Sequence, residues 1–458
     1  MPTDHELRVL AAAGASPDGL SLTGPEQALP SVFDVTALAT ASIAAAHLAA
    51  AGLQAARSGA PAREVTVDRT QAAAAFLSER FFLPDGWERP PVWDPLAGDY
   101  PCADGWIRLH TNYSTHRRAA LAALGVEDRA DLDHAALAPV VAAHTGDELE
   151  AAVVAAGGCA AAMRTVDEWA VSPAGAAVAA APLISWTVRA GSAASLPGGA
   201  VRPLDGVRVL DLTRVIAGPT CTRFLAAGGA AVLRIDPPGF AEVGALLPLT
   251  TAGKRCATLD LSTADGTTRF ASLVADADVL VCGLRADALA GLGFDDDRLA
   301  SLNPALVVAR LDAYGWDGPW AGRRGFDSLV QMSSGIAAEG QRAAGTPTPK
   351  PLPCQALDHA TGYLLAAAVC QALTARVQLG EASEARLALA STAHLLTSLP
   401  TPDGLGIEPP DLAAEATECV TTAWGPARAV PVPGRIDGVQ RAPLRPAGPL
   451  GRNTPAFT

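Results

Sequence analysis

Short apolar runs separated by amphipathic stretches dominate the chain between residues 207 and 311. Four of these runs have the continuous apolar character of buried parallel strands: VRVLDL (207–212), AVLRID (231–236), DVLVCG (278–283) and ALVVARL (305–311). Segments between them, such as TADGTTRFASLVADA, space their apolar residues as helices do. Strands that alternate with helices in this way predict an α/β fold with a doubly wound, Rossmann-like parallel sheet.

The preceding part of the chain has a different pattern. An Ala-rich stretch, the segment DGWIRLHTN and three further helical segments predict a smaller α+β domain. A cluster of Pro and Gly, ASLPGGAVRPLDG, separates the two regions. We therefore divide the chain into a helical segment (1–75), a small α+β domain (76–193), a linker (194–206), a Rossmann-like domain (207–400) and a Pro- and Gly-rich tail (401–458).

An internal repeat connects the two ends of the chain. Residues 20–50 echo residues 343–374, since each segment has a Pro-bearing loop, a short extended run, an Asp and a long Ala-rich helix. The match places Asp34 opposite Asp358. The alternative is that two Ala-rich helices resemble each other by composition alone.

Composition and charge exclude several classes of protein. With 458 residues, 49% hydrophobic and 18% charged, the chain is expected to fold into two domains. The net charge of -13 argues against nucleic acid as a partner, although a few local cations could still hold a small anion. Polar residues interrupt the Ala-rich runs, so we expect no membrane span, and MPTDHELRVL is unlike a secretion signal. Eight cysteines without C-x-x-C spacing predict no metal site and a reduced, cytoplasmic location.

Five segments in a fixed order carry the strongest functional signal. They are GVRVLDLTRVIAGPTCTRFLAAGGAAVLRID, GKRCATLDL, DVLVCGLR, YGWDGPWAGRRGFDSLVQMSSGIA and LDHATGYLLAA, all within residues 206–395. These segments resemble the family III CoA-transferases, which include formyl-CoA and carnitine-CoA transferases, and residues 100–186 resemble the small domain of that family. The resemblance implies an enzyme that moves coenzyme A, its substrate in the form of acyl-CoA, to a carboxylic acid. It also implies a homodimer of interlocked subunits.

The order of the parts departs from the family, in which the sheet domain precedes the small domain. Here the small domain comes first. Together with the internal repeat, this order suggests two fused copies, of which the first has lost its sheet strands and the second its small domain.

The segment V-I-A-G-P-T lies between the first predicted strand and the following helix. Ala217 and Gly218 would let a ligand approach the backbone closely, and Pro219 fits the first turn of a helix. Ligands bind at this edge of open α/β sheets, so Val215, Ala217, Gly218 and Pro219 are candidate CoA-binding residues. A tight turn that binds no ligand would have the same sequence.

Three basic residues follow or end predicted strands and turns. The resemblance places Arg234, Lys254 and Arg285 near the nucleotide portion of CoA, whose phosphates suit cations and bidentate guanidinium groups. Taken singly, each of the three is also typical of a solvated surface charge.

Asp358, in the segment LDHATG, is the candidate nucleophile. Its place before an Ala-rich helix would also suit an N-cap. The family motif is an Asp followed four residues later by a Gly, and Gly362 completes that motif here. A carboxylate that attacks a thioester gives a mixed anhydride and a thiolate, which splits the exchange into easier covalent steps. The segment SSGIAAEG (333–340) is a candidate for the turn that stabilises the tetrahedral intermediates.

Other interpretations remain open. Asp34 lacks the following Gly and is interpreted as a cap or a relic, and His359 is interpreted as a structural neighbour of Asp358. An acyl-CoA racemase of the same fold would use a His at the position of Phe326, and Phe cannot accept a proton. The rearranged order would also fit a non-catalytic CoA-binding remnant, against which the retained Asp358 counts.

Overall fold

The structure is a computed structural model that describes residues 1–190, 196, 201–285, 287–402 and 417–457. Part of the predicted linker, at 194, 195 and 197–200, lies outside the described residues, as does the part of the tail at 403–416.

The N-terminal region combines helices with two short strands. Its elements are α1 (Asp4–Ala12), β1 (Leu20–Thr23), α2 (Val35–Ser58), β2 (Val65–Asp68) and α3 (Arg69–Phe76). The strands β1 and β2 pair in parallel, so the region expected to be a helical segment also contains sheet. Val65 and Val67 point into the core while Thr66 and Asp68 are half-buried, which is the alternation of a strand that packs on one face.

The small domain has the α+β composition predicted for it. Its elements are β3 (Leu83–Pro84), β4 (Gly98–Cys102), β5 (Gly105–Leu109), α4 (Ser114–Leu124), α5 (His134–Val141), α6 (Gly146–Ala155), β6 (Ala160–Ala162), α7 (Val166–Val171) and α8 (Pro173–Ala180). The strands β4, β5 and β6 form an antiparallel sheet. Apolar residues of this sheet and of α4, α5 and α6 share a separate hydrophobic core, which includes Tyr100, Ile107, Leu121 and Val153.

The large domain is an α/β sheet with helices between its strands. Its elements are β7 (Ser185–Ala190), β8 (Arg208–Leu212), α9 (Ala217–Ala227), β9 (Ala231–Asp236), α10 (Leu247–Thr250), β10 (Lys254–Thr258), α11 (Ala264–Asp276), β11 (Val279–Cys282), α12 (Ala288–Gly291), α13 (Asp296–Leu302), β12 (Val307–Asp312), α14 (Asp327–Ser333), α15 (Ile336–Ala344), α16 (Ala356–Leu379), β13 (Glu381–Ala388) and α17 (Leu389–Ser398). The strand order is β10-β9-β8-β11-β12-β13-β7, in which the six strands from β8 to β13 are parallel. This is the doubly wound Rossmann order, and the predicted fold class is confirmed.

Two details of the sheet differ from the expectation. The segment that forms β7 had been assigned to the small domain, but it pairs antiparallel with β13 at the edge of the large sheet. The strands β10 and β13 had not been predicted, because both carry charged residues. Two of these charged residues, Lys254 and Glu384, are buried in ion pairs with Asp211 and Arg310, and therefore do not mark a surface.

The C-terminal segment returns over both parts of the chain. Its strands are β14 (Glu418–Thr422), β15 (Gly425–Ala429) and β16 (Arg435–Ile436). The strands β14 and β15 form a sheet with β3, and β16 pairs with β2. Asn453 then bridges to Ala257 in the edge strand β10. The segment thus contacts the N-terminal region, the small domain and the large sheet.

The helices α2 and α16 are long and apolar enough to cross a membrane by length and composition, contrary to the expectation from the sequence. The scattered Ser, Thr and His residues do not lower the hydropathy of these helices enough to exclude a span. Of their most apolar windows, 83% and 78% are buried inside the protein. Both helices pack against each other in the largest hydrophobic core, as core helices do.

Candidate active site

Two adjoining cavities lie between the large sheet and the small domain. The first has a volume of about 370 Å³ and the second a volume of about 350 Å³. Four residues line both cavities: Tyr113, Val215, Phe326 and Asp358. The two cavities therefore meet at Asp358, and both domains contribute to their walls.

The first cavity opens at the carboxyl ends of β8, β11 and β12. Its wall includes Val215 after β8, the segment 283–285 after β11 and the segment 311–313 at the end of β12. In the order of this sheet, β8 and β11 are the neighbours at which the winding reverses. A crevice at that switch point is the usual ligand site of an open α/β sheet, and the predicted edge is where the cavity lies.

The turn after β8 is held in an uncommon backbone conformation. Val215 has a φ of 63°, which is rarely adopted by a β-branched residue, and its N–H donates to Glu242 Oε2 at 3.1 Å. Ala217 lines the first cavity. Gly218 and Pro219 are buried and do not line either of the two large cavities. A Cβ at Gly218 would lie 2.2 Å from Thr213 Cβ, so this glycine permits close packing within the protein.

Arg234 and Lys254 do not reach either cavity, which differs from the expectation that they lie near a nucleotide. The side chains of both residues are fully buried. Lys254 Nζ lies 2.8 Å from Asp211 Oδ2, and Arg234 contacts Asp236 at 2.9 Å and Glu242 at 3.0 Å. Both cations neutralise internal carboxylates beneath the site, because a buried charge needs a partner of opposite sign.

Arg234 nevertheless acts on the site through Glu242. That carboxylate also accepts the Tyr113 hydroxyl at 2.6 Å and the Val215 N–H. Arg234 therefore helps to hold two of the residues that line both cavities.

Arg285 is exposed and lines the first cavity, as the sequence analysis expected. Three further arginines line the same cavity: Arg214, Arg323 and Arg324. All three lie within the segments that carried the family resemblance, but sequence reasoning did not single them out. The guanidinium of Arg214 lies 3.8 Å from the centre of the Phe240 ring, and that of Arg323 lies 3.8 Å from the Trp320 ring.

Asp312 also lines the first cavity and was missed by sequence reasoning. Its N-terminal neighbours form an ordinary buried strand, and nothing in the sequence marks it. Burial raises the pKa of its carboxyl to about 7, and its Oδ2 is buried without a hydrogen-bond partner in the part of the chain that the structure describes. Among these described residues, no group of three or more His, Cys, Asp or Glu side chains is arranged to hold a metal ion.

Asp358 is the third residue of α16 and is only 8% exposed. Its backbone N–H donates to Asp327 Oδ2 at 2.9 Å. The N-cap of α16 is Gln355, so the interpretation of Asp358 as a cap is wrong. Burial, followed by the charges of Asp327 and Glu79, raises the pKa of Asp358 well above its usual range. Burial likewise raises the pKa of Asp327 to about 6.

Gly362 lies one turn after Asp358, where α16 approaches the turn that begins α9. A Cβ at this position would lie 2.4 Å from the carbonyl oxygen of Ala217 and 2.8 Å from Thr220 Cβ. The spacing of Asp and Gly in LDHATG therefore has a packing reason. The absence of a side chain at Gly362 lets the first turn of α16 come close to the V-I-A-G-P-T turn.

The second cavity is more apolar, and residues 76–113 and the large domain contribute about equally to its wall. Its apolar wall consists of Phe76, Leu77, Val92, Trp93, Ile216, Val243, Leu246, Phe326 and Pro353. Its polar residues include Glu79, Arg80, Arg89, His110, Asn112, Asp327 and Ser328. The segment 333–340, expected to stabilise tetrahedral intermediates, lines neither of the two cavities.

His110 lies against Phe326 in the second cavity. The two rings are parallel, with their centroids 3.6 Å apart. Burial, together with the nearby His116 and Arg108, lowers the pKa of His110 to about 3, so its imidazole is neutral near pH 7. In His359, by contrast, Nε2 lies 3.0 Å from Glu79 Oε1, and the ring stacks near Phe76. It lines neither of the two large cavities, which agrees with its interpretation as a structural neighbour of Asp358.

Comparisons with known proteins show which family the sequence resembles. One relative, a Mycobacterium tuberculosis protein named "Probable fatty acyl-CoA transferase Rv3272", is 38% identical over 205 residues, which cover 41% of this chain and 50% of that protein. The succinate–glutarate CoA-transferase of Agrobacterium fabrum is 32% identical over 207 residues, which cover 41% of this chain and 51% of that enzyme. The chain thus spans about half the length of these relatives.

A crystal structure of the mycobacterial protein matches with 36% identity, 43% coverage of this chain, 56% coverage of that chain and a TM-score of 0.38. The residues from 204 to 410 match the family model described as CoA-transferase family III. This match includes Asp358 and every CoA-binding candidate that the sequence analysis named. The part of the chain from residue 204 to residue 410 is therefore a CoA-transferase family III domain.

Proposed function

We propose that this protein transfers coenzyme A from an acyl-CoA thioester to a carboxylic acid, with Asp358 as the covalent nucleophile. The observation that carries the proposal is the place of Asp358 between the two cavities. Of the four residues that line both cavities, Asp358 has the one carboxyl group. The hydroxyl of Tyr113 already donates to Glu242, and Val215 and Phe326 have no reactive side chain.

The first cavity supplies the charge that CoA requires. Four arginines line it, Arg214, Arg285, Arg323 and Arg324, although the chain as a whole has a net charge of -13. Guanidinium groups suit phosphates because they donate in a planar fork. Of the cations named by the sequence analysis, Arg285 contributes to this proposed binding directly and Arg234 contributes by holding Glu242.

The reaction proceeds through two covalent forms of Asp358. A carboxylate oxygen of Asp358 attacks the thioester carbonyl of the donor, the C–S bond breaks, and CoA leaves as a thiolate. The thiolate then attacks Cγ of Asp358, which releases the first carboxylic acid and leaves an aspartyl-CoA thioester. The second acid attacks Cγ of that thioester, the C–S bond breaks, and an anhydride and the CoA thiolate form. The thiolate then attacks the acid's carbonyl carbon, which releases the new acyl-CoA and regenerates Asp358.

The surroundings of Asp358 make its carboxylate reactive once it forms. Burial, followed by the charges of Asp327 and Glu79, raises its pKa, so the carboxylate forms less readily than that of an exposed aspartate. No side-chain hydrogen bond stabilises its oxygens in the part of the chain that the structure describes. A poorly solvated carboxylate has little solvation to lose when it attacks the thioester. Because the carboxylate is the reactive form, we expect transfer to accelerate with rising pH.

An acyl-CoA racemase of the same fold is the alternative, and His110 is the imidazole that could replace the one missing at Phe326. Because the pKa of His110 is lowered to about 3, it is a weak base near pH 7. This weakness favours transfer over racemisation.

The test is to incubate the protein with an acyl-CoA, digest it and analyse the peptides by mass spectrometry. We expect coenzyme A attached to the peptide that contains Asp358. An adduct on Asp34, or turnover without any adduct, would contradict the proposal. The same incubation in heavy water tests the alternative, since rapid deuterium uptake at the α-carbon of the acyl group would favour a racemase.

A further inference from the structure

Two buried polar atoms in the second cavity lack a hydrogen-bond partner within the described residues. They are His110 Nδ1 and Ser328 Oγ. The side chains of both residues are almost enclosed, with His110 4% and Ser328 6% exposed. Buried polar atoms are normally hydrogen-bonded, so two such atoms in one cavity indicate a ligand that supplies the missing partners.

Most other polar groups of this cavity already have partners. Asn112 accepts from the Asp94 N–H and donates to the Val92 carbonyl. Asp327 accepts from Gln331 and from the backbone N–H of Asp358. The buried polar atoms of this cavity that still lack a hydrogen-bond partner among the described residues are therefore His110 Nδ1 and Ser328 Oγ.

Both residues are neighbours of Phe326 and Asp327, which line the second cavity together with Asp358. His110 follows β5 and stacks on Phe326, whereas Ser328 follows Asp327 at the start of α14. Asp327 in turn contacts the backbone of Asp358 at 2.9 Å. A group that bonds to both His110 and Ser328 would thus be held close to Asp358.

We propose that the second cavity binds the carboxylic acid substrate as an apolar monocarboxylate, whose carboxylate accepts hydrogen bonds from His110 and Ser328. This inference rests on the proposed function. In the aspartyl-CoA form, Asp358 is a neutral thioester, so its charge no longer repels an incoming carboxylate. One carboxylate oxygen then attacks Cγ of Asp358, the C–S bond breaks, and the thiolate leaves.

The rest of the cavity suits an apolar chain or ring. Its wall includes Phe76, Leu77, Val92, Trp93, Val243 and Leu246. A volume of about 350 Å³ accommodates an acid of moderate size. The two arginines at this cavity do not supply a site for a second carboxylate group of the acid, because Arg89 donates to the Glu79 carbonyl and lies over Phe82, and Arg80 is exposed.

The experiment separates acid binding from formation of the covalent intermediate. His110→Phe, Ser328→Ala and the wild-type protein are each incubated with an acyl-CoA until the amount of aspartyl-CoA is constant. The acceptors butanoate, hexanoate, phenylacetate and succinate are then added at increasing concentration, and discharge of the intermediate is followed. Absence of the aspartyl-CoA adduct in the wild-type protein would overturn the proposed function itself.

We expect both variants to form the adduct and to need at least about tenfold more hexanoate or phenylacetate for half-maximal discharge, because each lacks a hydrogen bond to a charged group. The matched control is Ser334→Ala. Its hydroxyl is also buried without a partner among the described residues, but it lines neither cavity. Unchanged half-saturation in Ser328→Ala, or a preference for succinate over hexanoate in the wild-type protein, would overturn the inference.

Discussion

The first turns of α2 and α16 place an aspartate in two different environments. Both helices are 24 residues long and end at a glycine in the left-handed conformation, Gly59 and Gly380. A strand and a helix follow each of them, β2 and α3 in one case and β13 and α17 in the other. The similarity between the two regions therefore continues beyond the helices. Their aspartates nevertheless have different partners.

Asp34 is the N-cap of α2. It accepts the Ala37 N–H at 2.9 Å, and a ring nitrogen of His5 lies 2.7 Å from its other carboxylate oxygen. The interpretation of Asp34 as a cap is confirmed. Counted from the starts of the helices, Asp34 corresponds to Gln355, so the alignment of Asp34 with Asp358 is wrong. Asp358 lies three residues later, at the position that Ala37 occupies in α2.

The comparison shows what makes a carboxylate at a helix start available for chemistry. Each carboxylate oxygen of Asp34 has a partner, one in the helix backbone and one in His5, and Asp34 lines neither of the two large cavities. Asp358 faces two cavities and two acidic neighbours instead. A shift of three residues along the helix therefore separates a structural carboxylate from the one that we propose as the nucleophile.

The largest expected difference between the two aspartates is in activity. Asp358→Asn should reduce CoA transfer by about a thousandfold or more, equivalent to about 4 kcal/mol of activation free energy, because an amide cannot form the anhydride. Asp34→Asn should retain transfer within about twofold, since Asn is as good an N-cap as Asp. Initial rates measured with the same acyl-CoA and acid provide the test.

Asp34→Ala completes this comparison. It removes the cap and should lower the free energy of unfolding by about 0.5 to 2 kcal/mol without abolishing transfer. If Asp34→Asn were inactive while Asp358→Asn turned over, the roles assigned to the two helix starts would be reversed.

The sequence predicted the strands that are rich in Val, Leu and Ile. β9 lies at the predicted residues, and Phe270, Leu273 and Val274 form the buried face of α11 as their spacing indicates. The strands β10 and β13 could not be predicted from hydrophobicity, because their charges are neutralised by residues distant in the sequence. Glu384, for example, pairs with Arg310, 74 residues away along the chain.

Only part of the candidate site was predicted, because contacts between residues distant in the sequence are not visible in it. Asp358 and Arg285 lie at the first cavity, whereas Lys254 is enclosed with Asp211. A lysine in a sequence carries no sign of the carboxylate that neutralises it. His110 and Ser328 could not be found either, because only the packing of the small domain against the large sheet brings them together.

The second comparison concerns the glycines within the two helices. Gly362→Ala in α16 should lower the free energy of unfolding by about 1 to 3 kcal/mol, because its Cβ would overlap the Ala217 carbonyl oxygen 2.4 Å away. Gly52→Ala in α2 meets no atom within 4 Å. It should instead raise the free energy of unfolding by about 0.5 to 1 kcal/mol, because Ala is the better helix former.

Urea unfolding measures both changes, provided that the dependence of the unfolding free energy on urea concentration is the same in the variants and the wild-type protein. Gly362→Ala should also slow CoA transfer, because it separates the first turn of α16 from the turn at Val215, whereas Gly52→Ala should not. Equal effects of the two substitutions would show that Gly362 has no packing role of its own.

The smallest expected effect is a pH-dependent gain in stability on removing the charge of Asp358. Its pKa in the folded protein is raised, first by burial and then by Asp327 and Glu79. A carboxyl of this kind contributes no penalty below its unfolded pKa, which is about 3.9, and costs stability as the pH rises through the folded pKa. Asp358→Asn lacks this cost, so it should be more stable than the wild-type protein at pH 7.

The size of this effect depends on pH, whereas the effect of a packing change does not. Between about pH 4 and pH 7 the difference should grow in favour of Asp358→Asn, and well below pH 4 it should vanish because both states of the wild-type protein are then largely protonated. Urea unfolding at a series of pH values measures the difference. A gain that is constant over this range would indicate that the substitution acts through shape alone, and a loss at pH 7 would mean that Asp358 is stabilised as a carboxylate.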